Sequence, residues 1–199
     1  MTRNVGIYIF DEIEVLDLGG PFEVFSTAAR LKARLNPGAA KPFDVFTIAE
    51  TIRLTRARGG LMLQPSFDII NHPPIDVLIV PGGVVTAELQ RDAVITWIAR
   101  IAAKASLTAS VCTGAFLLAK AGLLRGKTIT THWEDIADFR AMFPDVSVNE
   151  NTRWVDAGNI VTSAGISAGL DMSLHLIARL DSENLAVRTA RQMDYAWQR

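Results

Sequence analysis

Apolar residues in this chain fall into short unbroken blocks, and between them lie longer stretches in which apolar positions recur with helical spacing. The blocks at residues 5–10 (VGIYIF), 43–49 (FDVFTIA) and 75–80 (IDVLIV) read as strands, the first and last covered on both faces. Residues 20–33 read as a helix opened by Pro21, 93–103 as a second, and 133–143 as a third. A polar hairpin is expected at 53–63 around Gly59 and Gly60. A short strand is expected at 128–130, and strands at 154–156 and 160–162 flank the turn residues Ala157, Gly158 and Asn159. Helices at 168–180 and 183–196 close the chain, the second capped by Ser182. Strands alternating with helices predict βαβ units on a mainly parallel sheet, and residues 1–199 show no repeat or linker that would divide them into two domains.

Ligands of such sheets collect beyond the carboxyl ends of the strands. Three features fall there: Asp17 in VLDLGGPFEVF, Pro81-Gly82-Gly83 after the third apolar block, and Cys112 in LTASVCTGAFLLAKAG. Residues suited to a strand approach Cys112 and an Ala/Leu-rich helical run leaves it, so the thiol stands at a strand-to-helix corner. A helix N-terminus stabilises a thiolate, which at such places titrates at about 3.5–7.5. The pattern therefore predicts an activated nucleophile, with the N–H of Thr113 and an N–H of the Gly82-Gly83 segment holding developing negative charge. A lone cysteine that only fills the core is the rival reading. Asp17 is either a helix cap or an acid that exchanges a proton with the thiol or the substrate. Glu14 and Glu23 are rival acids, the first expected to be exposed and the second on a helix surface. His132, in TTHWED, is expected to be a hydrogen-bonded structural histidine at the pocket, and Ile166 is a further candidate for its wall.

Composition narrows the picture. With 20 basic and 21 acidic residues the net charge is -1, which leaves no footprint for nucleic acid or an anionic membrane. No apolar run reaches the roughly 20 residues of a membrane span, and the first residues pass directly into a strand, so a cytoplasmic protein is expected. One cysteine makes no internal disulfide, and the three histidines, His72, His132 and His175, lack metal-ligand spacing. No metal or other cofactor is expected.

The stretches LDLGGPFEVF, DVLIVPGG, SVCTGAFLLAKAGLL, TTHW and GNIVTSAGISAGLDMSLHLI, in that order, resemble the ThiJ/PfpI superfamily, relatives of the class I glutamine amidotransferases. The resemblance covers nearly the whole chain. It implies a single-domain α/β three-layer sandwich, flavodoxin-like, with flanking helices on a mainly parallel sheet. The similar branches are isocyanide hydratases and the ligand domains of AraC-type regulators. The hydratase branch implies a cofactor-independent lyase that converts an isocyanide to an N-substituted formamide, with Cys112 as nucleophile and Asp17 as acid. Glyoxalase or deglycase action on small dicarbonyls, and a non-enzymatic redox or stress sensor, are the alternatives. Thr113 stands where the intracellular-protease branch has histidine, so peptidase activity is not expected. Gly19 stands where the hydratase pattern has threonine. The regulators carry a helix-turn-helix domain for which the chain, ending at Arg199, leaves no room, and direct DNA binding is not expected. A small-molecule substrate and a homodimer are the partners the resemblance implies.

Overall fold

The computed structural model describes residues 1–199. In chain order, β1 (Arg3–Tyr8) leads into α1 (Val15–Leu35), followed by β2 (Phe43–Ala49), β3 (Thr55–Arg56), β4 (Met62–Leu63), β5 (Phe67–Asp68) and β6 (Val77–Val80). Then come α2 (Asp92–Ala102), β7 (Leu107–Val111), α3 (Gly114–Lys120), β8 (Thr128–Ile129), α4 (Ile136–Met142) and β9 (Ser147–Val148). The chain closes with β10 (Trp154–Asp156), β11 (Ile160–Ser163), α5 (Ala168–Leu180) and α6 (Glu183–Gln192).

Seven strands form one sheet in the order β10-β11-β7-β6-β1-β2-β5. Its pairings are parallel except at the edge, where β10 and β11 make the expected antiparallel hairpin. Every residue of β6 and β7 is buried, which requires cover on both faces of the sheet. One cover is the group α1, α5 and α6, which pack on one another, and the other includes α2 and α3. The α/β sandwich expected from the alternation of blocks is the fold of the protein.

α1 differs from its expected form. It begins at Val15 rather than at residue 20, so Pro21 lies inside it and Asp17 is in its first turn. Pro21 has no N–H for the carbonyl of Asp17 four residues earlier, so α1 lacks that bond in its second turn. Gly20 lets α5 approach: a Cβ there would meet Leu170 Cδ2 at 3.3 Å. The helix expected at 133–143 opens as a 3₁₀ turn, Trp133–Asp135, before α4. The hairpin at 53–63 is present as β3 and β4, paired Thr55 to Leu63. The two-residue strands β5 and β9 were not expected. α6 stops at Gln192 rather than 196 because the tail is tied to Asp171 of α5. Tyr195 Oη donates to Asp171 Oδ2 (3.0 Å), the Gln198 N–H to Oδ1 (2.8 Å) and Trp197 Nε1 to the Asp171 carbonyl (3.2 Å).

Ser182 caps α6 as expected, its Oγ accepting from the Leu185 N–H at 3.2 Å. Ser182→Ala is expected to lower unfolding free energy by about 1 kcal/mol, read from urea denaturation. No helix is long and apolar enough to cross a membrane.

Candidate active site

β7 ends at Val111 and α3 starts at Gly114, so Cys112 and Thr113 make up the entire corner. Cys112 has φ 56, a left-handed conformation uncommon for a residue with a side chain. The surroundings hold it there. Its N–H donates to the Ser163 carbonyl (3.1 Å) and, at 3.3 Å, to that of Ala164, and its own carbonyl accepts from Thr131 Oγ1 at 2.9 Å. The turn is tight enough to exclude any side chain at the next glycine: a Cβ on Gly114 would stand 2.0 Å from the Val80 carbonyl oxygen.

Pro81-Gly82-Gly83, after β6, is clamped between this corner and the start of α1. Thr113 Oγ1 accepts from the Gly83 N–H (2.9 Å) and donates to the Gly83 carbonyl (2.8 Å). The Gly82 N–H donates to Asp17 Oδ2 at 3.1 Å. The expectation that Gly82 or Gly83 offers an N–H to substrate is therefore corrected, because both donors are taken by protein oxygens. The glycines serve close approach instead. A Cβ on Gly82 would lie 2.6 Å from the Thr113 nitrogen, and one on Gly83 would lie 2.3 Å from the Glu12 carbonyl oxygen. Among the expected donors, the Thr113 N–H is the one that faces the Cys112 sulfur, where it favours the thiolate.

Asp17 is fully buried, and its second oxygen, Oδ1, has no hydrogen-bond partner. It is thus not the helix cap of the rival reading, since Glu14 occupies the cap position. Burial pushes its carboxyl up to about 7, with the Glu14 charge adding to the effect and the Gly82 N–H and Cys112 thiol opposing it. Cys112 is 7% exposed, and burial, then the Asp17 charge, push its thiol up to about 12. A thiol acidified by the α3 terminus, the expectation from the sequence, is corrected here: desolvation and a neighbouring carboxylate outweigh the backbone N–H. The pair loses its first proton near neutrality and its second only in strong alkali, so across the range between it carries one negative charge.

Cys112 opens onto a cleft of about 790 Å³, whose walls include Thr113, Gly83, His132 and Ile166 from the expected set. Asp17 is not part of the wall; it adjoins the thiol from the protein side. His132 combines its two expected roles, for it lines the cleft while its Nδ1 lies 3.2 Å from Asp135 Oδ2. Its ring packs on Gly165, where a Cβ would come within 2.0 Å. Ile166 has φ 46, a strained conformation for a β-branched side chain. Glu14 also lines the cleft, paired with Arg58 at 3.2 Å, whereas Glu23 is on the exposed face of α1 with Arg30 at 2.9 Å. Sequence reasoning missed Arg58, Val85, Phe116, Asp135 and Asp138 as wall residues. Asp135, three residues after His132, carried a readable signal as its ring partner, while the others gave none. His72 bonds to Trp97 (3.1 Å) and His175 to Asp156 (2.7 Å), both away from this cleft. No group of three or more His, Cys, Asp or Glu is placed to hold a metal ion.

Comparison with known proteins bears on the family and the fold. Residues 3–179 match the DJ-1/PfpI family. Isonitrile hydratase of Pseudomonas putida is 31% identical over 198 residues, which is 98% of this chain and 80% of that protein. The HTH-type transcriptional regulator GbdR of Pseudomonas aeruginosa is 30% identical over 97% of this chain, which spans 51% of the regulator's length. Among solved structures, a ThiJ/PfpI family protein from Pseudomonas syringae superposes with a TM-score of 0.85 at 25% identity, over 100% of this chain and 77% of that one. DJ-1beta of Drosophila melanogaster, at 16% identity and a TM-score of 0.81 over 99% of this chain and 100% of its own, shares the fold. A match running from β1 nearly to the end of α5, joined to identity above 30% along almost the full length, places this protein in the DJ-1/PfpI family.

Proposed function

We propose that the protein is an isocyanide hydratase that works without a cofactor, using Cys112 as nucleophile and Asp17 as proton carrier. The observation that carries this reading is the buried pair itself: a thiol on a strained corner facing a cleft, with a partnerless carboxylate oxygen in the desolvated space beside it. Near-full-length similarity to the isonitrile hydratase of Pseudomonas putida supports the choice of substrate.

Because the thiol is protonated at neutral pH, its activation falls to Asp17, whose carboxyl titrates near 7, the range in which a general base is most effective. As the Cys112 sulfur adds to the terminal carbon of R–N≡C, Asp17 takes the thiol proton and delivers it to that carbon. The product is a thioimidate, R–N=CH–S–Cys. Water then adds its oxygen to the same carbon, one of its protons passing to Asp17 and the other to the nitrogen. Collapse expels the sulfur, which recovers its proton from Asp17, and R–NH–CHO leaves. Atoms balance as one isocyanide plus one water. The Thr113 N–H stabilises the sulfur whenever it carries charge.

No feature of the cleft favours a dicarbonyl over an isocyanide. Incubation of the purified protein with several alkyl and aryl isocyanides is expected to yield the matching formamides. Absence of turnover across the series, with the protein folded, would reject the assignment.

A further inference from the structure

The walls of the cleft are unequally charged. Glu14, Glu134, Asp135 and Asp138 face it, against Arg58 as the single guanidinium or ammonium. Arg58 is already neutralised by Glu14 at 3.2 Å. Asp138 is exposed and makes no ion pair with any Lys or Arg, while Glu134 and Asp135 have only His132 within 4.0 Å. The Asp135 charge reaches the nucleophile, for it is among the causes that hold the Cys112 thiol protonated. Between these carboxylates the surface is apolar, with Val85, Leu89, Phe116 and Met142 contributing.

We infer that this cleft selects compact neutral or cationic molecules with an apolar portion and excludes those bearing a carboxylate, sulfonate or phosphate. The inference rests on the reading of the cleft as the substrate site and narrows its substrate class. The physical reason is focusing: a concave surface with walls of one sign and low polarizability raises the local concentration of the opposite charge and depletes the same charge. At the nucleophile an anion meets uncompensated carboxylates on the α4 side and, once ionised, Asp17 behind the sulfur. A cation meets the same groups as attraction.

The chain has a single cysteine, so thiol labelling reads this site alone. The probes are three methanethiosulfonates of similar size: neutral propyl, cationic trimethylammonioethyl and anionic sulfonatoethyl. Each reacts when the sulfur of Cys112 attacks the sulfenyl sulfur, forming a disulfide; methanesulfinate leaves and the thiol proton passes to solvent. Rates are measured by intact mass at pH 8 and low salt, and divided by the rates of the same reagents on the chain in guanidinium chloride. The normalised rate of the cation is expected to exceed that of the anion by about tenfold or more, and the ratio to shrink as salt is raised. Asp138→Asn combined with Glu134→Gln is expected to bring the ratio down at least threefold.

A normalised ratio at or below one overturns the inference. So does a ratio that the double substitution leaves unchanged, and so does failure of the cation to label the folded protein when the unfolded chain labels fully. None of these readouts needs turnover. An inactive protein with the expected ratio would therefore reject the hydratase reading and keep the charge selection, and an active one with a ratio near one would do the reverse.

Discussion

Replacing Asp17 with asparagine is expected to move activity and stability in opposite directions. Formamide production should fall by about 10²–10⁴, the contribution usual for a positioned acid or base. Cys112→Ala, which removes the nucleophile, should abolish turnover outright. Folding should respond the other way. The folded protein holds a proton on Asp17 from the ordinary carboxylate range up to about 7, where the unfolded chain has already lost it. Stability from this group is therefore complete at acid pH and declines as pH rises through about 7. Asparagine cannot ionise, and its side-chain oxygen can still accept from the Gly82 N–H. Asp17→Asn is thus expected to change stability little at pH 4 and to raise it by about 2–4 kcal/mol at pH 8. Denaturant titrations at the two pH values, beside rate measurements, test both halves. If the variant keeps near-native turnover, Asp17 does not carry the proton. If its stability gain is the same at both pH values, the carboxylate is not destabilised by burial.

The second large effect is expected at Gly114. Its Cα lies so close to β6 that a Cβ would stand 2.0 Å from the Val80 carbonyl oxygen and 2.8 Å from that of Pro81. Both obstacles are backbone, and the sheet cannot yield there without breaking the pairing of β6 with β7. Gly114→Ala is expected to cost more than about 3 kcal/mol, at the level where single substitutions unfold domains of this size. Gly122→Ala is the control, because nothing lies within 4 Å of a Cβ there, although its φ of 77 imposes the ordinary strain of a left-handed residue. Thermal melts of the two variants should differ clearly, and equal melting would show that α3 can shift to make room.

Much of the fold was legible because the blocks that become β1 and β6 are almost unbroken apolar runs, and β2 and β7 are short runs of residues suited to strands. What escaped were elements whose existence depends on distant partners. β5 and β9 are two residues long and become strands only by lying beside β2 and β8. The start of α1 was misplaced because Pro21 is usually read as a first-turn residue, while here tertiary packing against α5 carries the helix through it. At the site, residue types at a strand end announced Cys112 and Asp17 and the loop between them. The state of the thiol was not announced, since a strand-to-helix corner lowers its pKa only where desolvation and nearby negative charge do not outweigh the helix terminus. In this protein burial and a carboxylate do the opposite.

The parallel sheet also sets when in folding the site comes into being. Asp17 and Gly82 are separated by 65 residues, and β1 pairs with β6 only after everything between them has been made. The acceptors that hold the N–H of Cys112 are the carbonyls of Ser163 and Ala164, still later in the chain. Loop closures of this length slow the search for the native topology. During synthesis the thiol emerges well before the strand that buries it, so in the nascent chain it is an ordinary accessible cysteine. The hold on its backbone is complete only once β11, the last strand of the sheet in chain order, lies beside β7.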